Sequence, residues 1–442
     1  MVLRQVVSNR VTKEAVLLKS QQSMKALSRT LVALALTASV ATAGGDLLAI
    51  RVGRAETVSQ GTIEHAVILV ENGKIVTIGQ DLPIDRGIPT LDRPDWTVMP
   101  GLVNAYSRFG LTAQGGAGST PQMLASAELY PRDAIFEDLL EFGFTTLGLY
   151  PPGNGIPGQA VAIRPTGDTV EKLIVRDNAY LKIRMASNAG AKKMLRDGFA
   201  DVDKFDEKEA KNLEKWEKAK EKADKKKKKS KKDDDEKDEK KDDDEEEVGE
   251  YEPEVPEDKT VPFIKLRAGE LSALISIRTA SDYIHLIDAI DEEEFSWSLR
   301  IPLRDDIDIY EVTERIGELE KTVLVEPRLT LHPGTRRSRN LPLELSNAGA
   351  KLAFIPLRDS IRGHKDWRVD VARLISAGFD REMALRAMTL EPANLLGLGD
   401  QLGSLDAGKD ANMIFLTGDP FEGTSRVEAV MLEGQVVFGD LN

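Results

Sequence analysis

The chain has 442 residues, 41% of them hydrophobic and 5% aromatic, with a formal net charge of −14. That length holds two or three domains and a sizeable core, and the acidic balance gives no basis for nucleic-acid binding. It has no cysteine and only four histidines, His65, His285, His332 and His364. Disulfides, thiolate metal sites and a lipoprotein anchor are therefore excluded, and any histidine metal site must draw on a very small pool.

Residues 1–23 are polar and mixed in charge, and read as a spurious or disordered extension. Residues 24–43 have the order of an export signal. Lys25 and Arg29 supply positive charge, Leu31 to Val40 is apolar, and Ala41-Thr42-Ala43 is a small-x-small cleavage site. An apolar run that short does not span a bilayer with ease. The mature chain is expected to begin at Gly44, to be exported to the periplasm or secreted, and to carry no transmembrane span.

From Asp46 the pattern turns to strands: Leu47 to Val52, then Ala66 to Val70 and Ile75 to Gly79 around the Asn72-Gly73 turn signal. Trp96 to Met99 closes this small domain. The texture returns at the carboxyl end with Ala411 to Leu416, Ala429 to Leu432 and Gln435 to Phe438. Segments 44–98 and 400–442 are expected to form one composite β-sandwich.

Between them, 99–399 alternates helix and strand, the signature of βα units around a parallel sheet. Asp133 to Phe142 is an amphipathic helix stopped by Gly143, and a strand follows over Thr145 to Tyr150. Val369 to Ala377 is a helix stopped by Gly378, and Asp380 is a good N-cap for Arg381 to Thr389. The α/β pattern favours a (β/α)8 TIM barrel, with chemistry at the carboxyl ends of its strands. A doubly wound sheet is the alternative, but no glycine-rich fingerprint follows an early strand.

Residues 215–258 interrupt this region with lysine and acid blocks and almost no apolar side chains. Such a tract cannot offset its ordering entropy, and it reads as a disordered, solvated insertion. Lys211 to Lys222 has the Lys/Glu spacing of a helix. No G-x-S-x-G nucleophile motif and no P-loop are present.

Val98 to Leu111, VMPGLVNAYSRFGL, resembles the first barrel strand of the amidohydrolase superfamily, whose motif is PGLxDxHxH. Several further segments resemble the imidazolonepropionase-like exported branch of that superfamily. These are Gly158 to Ile163 (GGQxxVI), Ala179 to Ile183 (GLKIA), Glu391 to Gly397 (NPAxxLG) and Gly403 to Ala411 (GxLxxGKxAD, with Asn412 in place of its aspartate). The resemblance implies a metal-dependent hydrolase of carbon–nitrogen bonds other than peptide bonds, cyclic amides among them. Histidines from strands 1, 5 and 6 and an aspartate from strand 8 would hold a divalent metal such as zinc.

At those positions this sequence differs. Strand 1 carries Asn104, Tyr106 and Arg108, and strand 5 carries Ser276 and Arg278. Strand 6 aligns with Arg304, and strand 8 with Leu357 and Arg358. Arginine has no lone pair to offer a cation and does not deprotonate in proteins. The substitutions imply a degenerate site with no metal and no catalytic residue, a pseudoenzyme acting as a binding or assembly subunit. An active paralogue or a second copy of the chain would be its partner.

Arg108, Arg278, Arg304 and Arg358 are expected at the barrel mouth, where forked hydrogen bonds would suit a small anionic ligand. Internal pairing with Asp282, Asp305, Asp306 and Asp359 is the competing expectation. His332 and His364, with Asp366 or Asp370, could form another metal site but read as surface-loop residues. Lys182 keeps a family-like position. The alternative function is an active hydrolase of carbon–nitrogen bonds with a non-standard or metal-free site. Intact-mass analysis of the natural exported chain is expected to place its amino terminus at Gly44; peptides from residues 1–23 in that protein would contradict the reading of the extension.

Overall fold

The computed structural model describes residues 47–113, 115–233, 249–305 and 308–441. The signal-like segment and the extension before it lie outside these residues, as do Asp306 and part of the charged tract. Among the described residues, no helix is long and apolar enough to cross a membrane.

Four strands open the fold: β1 (Leu47–Glu56), β2 (Thr62–Glu71), β3 (Lys74–Gln80) and β4 (Thr90–Pro100). The β2–β3 turn has Asn72 and Gly73 at φ 50° and 78°, the left-handed pair that a tight hairpin needs. Next come β5 (Leu102–Ser107), β6 (Ala117–Ser119), β7 (Phe144–Leu149), β8 (Asn154–Ile156), β9 (Gly158–Gln159), β10 (Val161–Ile163) and β11 (Ile174–Arg176). A second run has β12 (Leu181–Arg184), β13 (Ala273–Ser276), β14 (Trp297–Arg300) and β15 (Thr322–Val325). The short pair β16 (Thr330–Leu331) and β17 (Ser338–Arg339) precedes β18 (Lys351–Phe354). The chain ends in β19 (Met413–Leu416), β20 (Val427–Leu432) and β21 (Gln435–Gly439).

Both ends of the chain share one seven-stranded sheet, in the order β21-β20-β19-β4-β1-β2-β3. The carboxyl-terminal segment also laces the far edge: Ile75 N donates to Lys409 O, and Ala411 N to Gly73 O. Ile50, Ile68 and Ile75 from one end and Met413, Phe415 and Met431 from the other thus bury one common core.

β4 passes into the α/β region through Gly101. A β-carbon there would lie 2.1 Å from Thr145 Oγ1, so the motif glycine is required by close packing of β5 on β7.

The α/β region contains two further sheets, β11-β10-β7-β5 and β18-β15-β14-β13-β12-β9. β12, β13, β14, β15 and β18 are parallel, as are β5 and β7. The segment 158–163 departs from a regular (β/α)8 pattern: β10 runs antiparallel to β7, and β9 antiparallel to β12. The reason is local. Only residues 150–157 separate β7 from β9, too few for the crossover that a parallel strand needs.

The segment bonds to both sheets and joins them into one arc. Among the described residues, no ladder links β18 back to β5. The helix Leu390–Leu395 packs against both strands instead, and Asp359 accepts hydrogen bonds from Ser107 Oγ (2.8 Å) and Arg108 N (2.7 Å). Small and branched residues, including Val103, Ala105, Ala160, Leu274, Leu324 and Ala353, fill the interior of the arc.

The charged tract is more ordered than its composition predicts. A helix runs over Ala189–Asp233, beyond the expected Lys222. Leu195, Phe199 and Val202 bury its first turns. Ion pairs at i,i+4, such as Lys211–Glu207 and Lys225–Glu221, line the exposed part. The returning chain docks on it: Trp216 Nε1 donates to Gly249 O (2.8 Å), Tyr251 Oη to Glu209 Oε1 (2.8 Å), and Lys208 pairs with Glu254 (2.5 Å). Residues 234–248 lie outside the described ones.

Gly101→Ala is expected to cost about 1–3 kcal/mol through overpacking against Thr145. Gly116→Ala, at a position with open space around it, is expected to be near neutral. Urea unfolding of the two variants checks the contrast; equal midpoints would contradict the packing argument.

Candidate functional site

The carboxyl ends of the parallel strands carry the polar residues of the interior. In register across β12, β13 and β14 stand Arg184, Ser276 and Arg300. Lys182 lies two residues before Arg184, on the same face of β12. The register of β5 on β7 slips between Asn104 and Ser107, and Tyr106 packs against the interior cluster.

Tyr106 and Tyr150 stack with ring centroids 3.8 Å apart. Arg300 Cζ lies 4.4 Å from the Tyr106 centroid, and Lys182 Nζ lies 4.3 Å from that of Tyr150. Each ring face thus receives one cation. Burial raises both tyrosine hydroxyls above their ordinary value.

These cations act on one another. Burial pushes the Lys182 ammonium down to about 7, and the nearby Arg108, Arg300 and Arg184 push in the same direction. Lys182 Nζ donates to Pro151 O (3.0 Å) and Gly153 O (3.2 Å). Arg184 donates to Asn154 Oδ1 and Arg108 Nη2 to Ala113 O. The acceptors sit on the two loops that end in the paired strands β6 and β8. Basic groups at the strand ends therefore hold a flap. The acidic groups are few. Glu326 accepts from Arg300 Nη2 (3.2 Å) and from Leu303 N (2.8 Å), while Asp359 is engaged by Ser107 and the Arg108 backbone.

The structure brings together Tyr106, Arg108 and Ser276 from the sequence analysis. It does not bring Arg278, Arg304, Arg358 or Leu357 to them: all four are exposed, and the described hydrogen bonds and ion pairs involve none of their side chains. The strand-6 assignment needs correction. β14 ends at Arg300, so Arg300 holds the inward position and Arg304 lies in the irregular segment beyond. Alternation in Trp297-Ser298-Leu299-Arg300 carried this signal, with Trp297 and Leu299 buried on the helix side. Of the competing acids, Asp282 caps a helix by accepting from Arg278 N and Thr279 N, and Asp305 pairs with Arg328 (3.1 Å).

The surface-loop expectation fails for His364. It is buried between Phe109 and Phe144, with centroids 5.0 and 4.8 Å away. Its Nδ1 donates to Ser360 O (2.9 Å), which leaves Nε2 to accept from Asn104 Nδ2 (2.8 Å). Burial lowers its pKa, in keeping with a neutral ring. His332 is half-buried and lies against Tyr310 and Arg339.

The donor set does not fit a divalent cation. Where strand-end imidazoles and carboxylates would be needed, the chain presents guanidinium groups, a buried lysine, a hydroxyl and two tyrosines held in their protonated form. Among the described residues, no three or more His, Asp or Glu side chains group as metal ligands.

Comparison with solved structures decides the fold. An amidohydrolase from Thermotoga maritima MSB8 superposes with a TM-score of 0.67 at 22% identity, covering 89% of this chain and 100% of that one. The chain has the amidohydrolase fold. Another amidohydrolase gives 0.51 at 12% identity over 90% of this chain and 100% of its own. A prolidase complexed with N-methylphosphonate-L-proline gives 0.50 at 15% over 89% and 100%. Residues 367–437 match the model of the amidohydrolase family. No curated protein matches the chain.

Lys182 predicts a pH dependence. Its folded pKa of about 7 lies below the ordinary value of 10.5, so the unfolded chain binds more protons between those values. The stability tied to this group therefore rises as pH climbs through that window and is lowest below about pH 7. Lys182→Met is expected to flatten stability against pH from 6 to 9, as measured by urea unfolding; an unchanged slope would contradict a lowered Lys182 proton affinity.

Proposed function

We propose that this chain is a member of the amidohydrolase superfamily that has lost metal-dependent hydrolysis and serves as a binding or assembly subunit outside the cytoplasm. The observation that carries the reading is the convergence of Arg108, Lys182, Arg184 and Arg300 on the strand ends around Tyr106 and Tyr150. A hydrolase of this fold needs a Lewis acid or an activated water between the strands. The guanidinium groups repel the first, and among the described residues the nearby carboxylates Glu326 and Asp359 are already engaged. Fold alone does not confer the activity of structural neighbours.

The similarity of residues 367–437 to the amidohydrolase family supports the ancestry. The imidazolonepropionase-like branch rests on the sequence segments alone. The signal-like order of residues 24–43 supports a location in the periplasm or outside the cell, where the chain would associate with an active paralogue or with itself.

Elemental analysis of the purified mature protein tests the proposal. Zinc, iron and manganese are expected far below one equivalent after incubation with each metal and dialysis. Hydrolysis of cyclic amide substrates is expected at the uncatalysed rate. Stoichiometric metal that survives dialysis, with turnover that follows it, would establish the active-hydrolase alternative instead.

A further inference from the structure

The exposed arginines of the strand-end loops share one face. Arg278 follows β13, Arg304 follows β14, Arg337 stands in the turn between β16 and β17 that comes after β15, and Arg358 follows β18. β18, β15, β14 and β13 are neighbours in one parallel run, so the four loops leave the sheet at the same end. Adjacent loops are laced together: Ala280 N donates to Asp308 Oδ1 (2.9 Å), and Leu331 N to Asp305 Oδ1 (3.2 Å). All four arginines are exposed, and among the described residues none of their side chains takes part in a hydrogen bond or ion pair. A chain of net charge −14 thus keeps four open guanidinium groups on one surface.

The matching charge lies elsewhere in the same sequence. Asp242 to Glu247 is a run of six carboxylates. Its own arginine face is out of reach. β12 and β13 are parallel, so the helix Ala189–Asp233 between them starts at the carboxyl ends of the strands and runs toward their amino ends. The returning chain follows the helix back, from Gly249 beside Trp216 (2.8 Å) to Lys259 beside Asp201 (3.6 Å). Trp216 lies about 27 residues along the helix from Ala189, or roughly 40 Å. Asp242 is seven residues before Gly249, a reach of about 25 Å for fully extended chain. Contact between the two charges therefore requires a second copy.

We propose that the arginine face docks the Asp242–Glu247 block of a second copy of this chain, head to tail. The inference names the partner in the assembly reading above and rests on that reading. Guanidinium forks meet carboxylates with two parallel hydrogen bonds, and they give up water more readily than the ammonium groups of Lys225 to Lys229 nearer the block. The face and the block are different surfaces. Each docked pair therefore leaves one free face and one free block, and the contact repeats from copy to copy instead of closing as a two-fold dimer.

Sedimentation of the full-length mature protein tests it. At about 25 mM salt the average mass is expected to rise with concentration above that of one chain, and at about 0.5 M salt to return to it, because screening removes the attraction. Two variants each clear one side. The first combines Arg278→Gln, Arg304→Gln, Arg337→Gln and Arg358→Gln. These side chains bond to nothing among the described residues, so the fold is expected to keep its urea midpoint. The second combines Asp242→Asn, Asp243→Asn, Asp244→Asn, Glu245→Gln, Glu246→Gln and Glu247→Gln. Each variant alone is expected to self-associate about tenfold or more weakly than the natural chain. Mixed, they are expected to form a complex of one copy of each and nothing larger, since one supplies the block and the other the face.

A natural chain that stays single at low salt up to about 100 μM overturns the inference. So does association that both variants retain, which belongs to another surface. Association lost with the arginines but kept without the block overturns the assignment of the block, as it would if lysines of the same tract already satisfied it. Variants that are each weakened yet fail to pair when mixed overturn head-to-tail docking. A metal-free chain that stays single defeats this inference alone, whereas stoichiometric metal with turnover defeats the functional reading whatever the mass of the particle.

Discussion

Like charge governs the mouth of this fold. Arg108, Lys182, Arg184 and Arg300 converge where the strands end, and their repulsion has to be offset. The structure does this in three ways. Tyrosine faces accept Arg300 and Lys182, the Glu326 carboxylate takes one guanidinium edge, and loop acceptors on the flap take Lys182, Arg184 and Arg108. Burial then settles the remainder by lowering the proton affinity of Lys182, the one member of the set that can give its charge away. The flap, the tyrosine stack and the lowered proton affinity of Lys182 are consequences of one electrostatic constraint.

The surrounding fold is built to hold that mouth rigid. β4 enters β5 through a glycine with no room for a side chain. The carboxyl-terminal strands complete the sheet that β1 to β4 begin, so the two ends of the chain lock each other. Where the arc would close between β18 and β5, side chains replace the backbone ladder: Asp359 reaches Ser107 and Arg108, and His364 reaches Asn104. Asn104 stands where the strand-1 motif has aspartate. Its amide donates to the neutral imidazole and its carbonyl accepts from Tyr106 N, two opposite roles that a carboxylate cannot fill. The substitution thus suits a structural contact.

The long helix shows how local pairing can override composition. A tract nearly devoid of apolar residues still extends to Asp233, because its first turns are anchored in the core and its exposed turns carry repeated Glu–Lys pairs. Trp216 and Tyr251, the aromatics of the tract, join the helix to the returning chain.

The amino-acid order by itself determined the α/β fold type, most strand positions and the strand-end places of Tyr106 and Ser276. Those features are written in short motifs and in period-two alternation, both local properties. It also pointed to arginines at the mouth, but Arg278, Arg304 and Arg358 follow their strands and are exposed. Only the tertiary structure decided that Arg300 meets Lys182 and Arg184, because β14 lies far from β12 in sequence and register alone defines the face they share. The antiparallel course of 158–163, the burial of His364 and the seam at Asp359 were equally beyond reach. Each depends on what a segment packs against, and a single sequence does not record that.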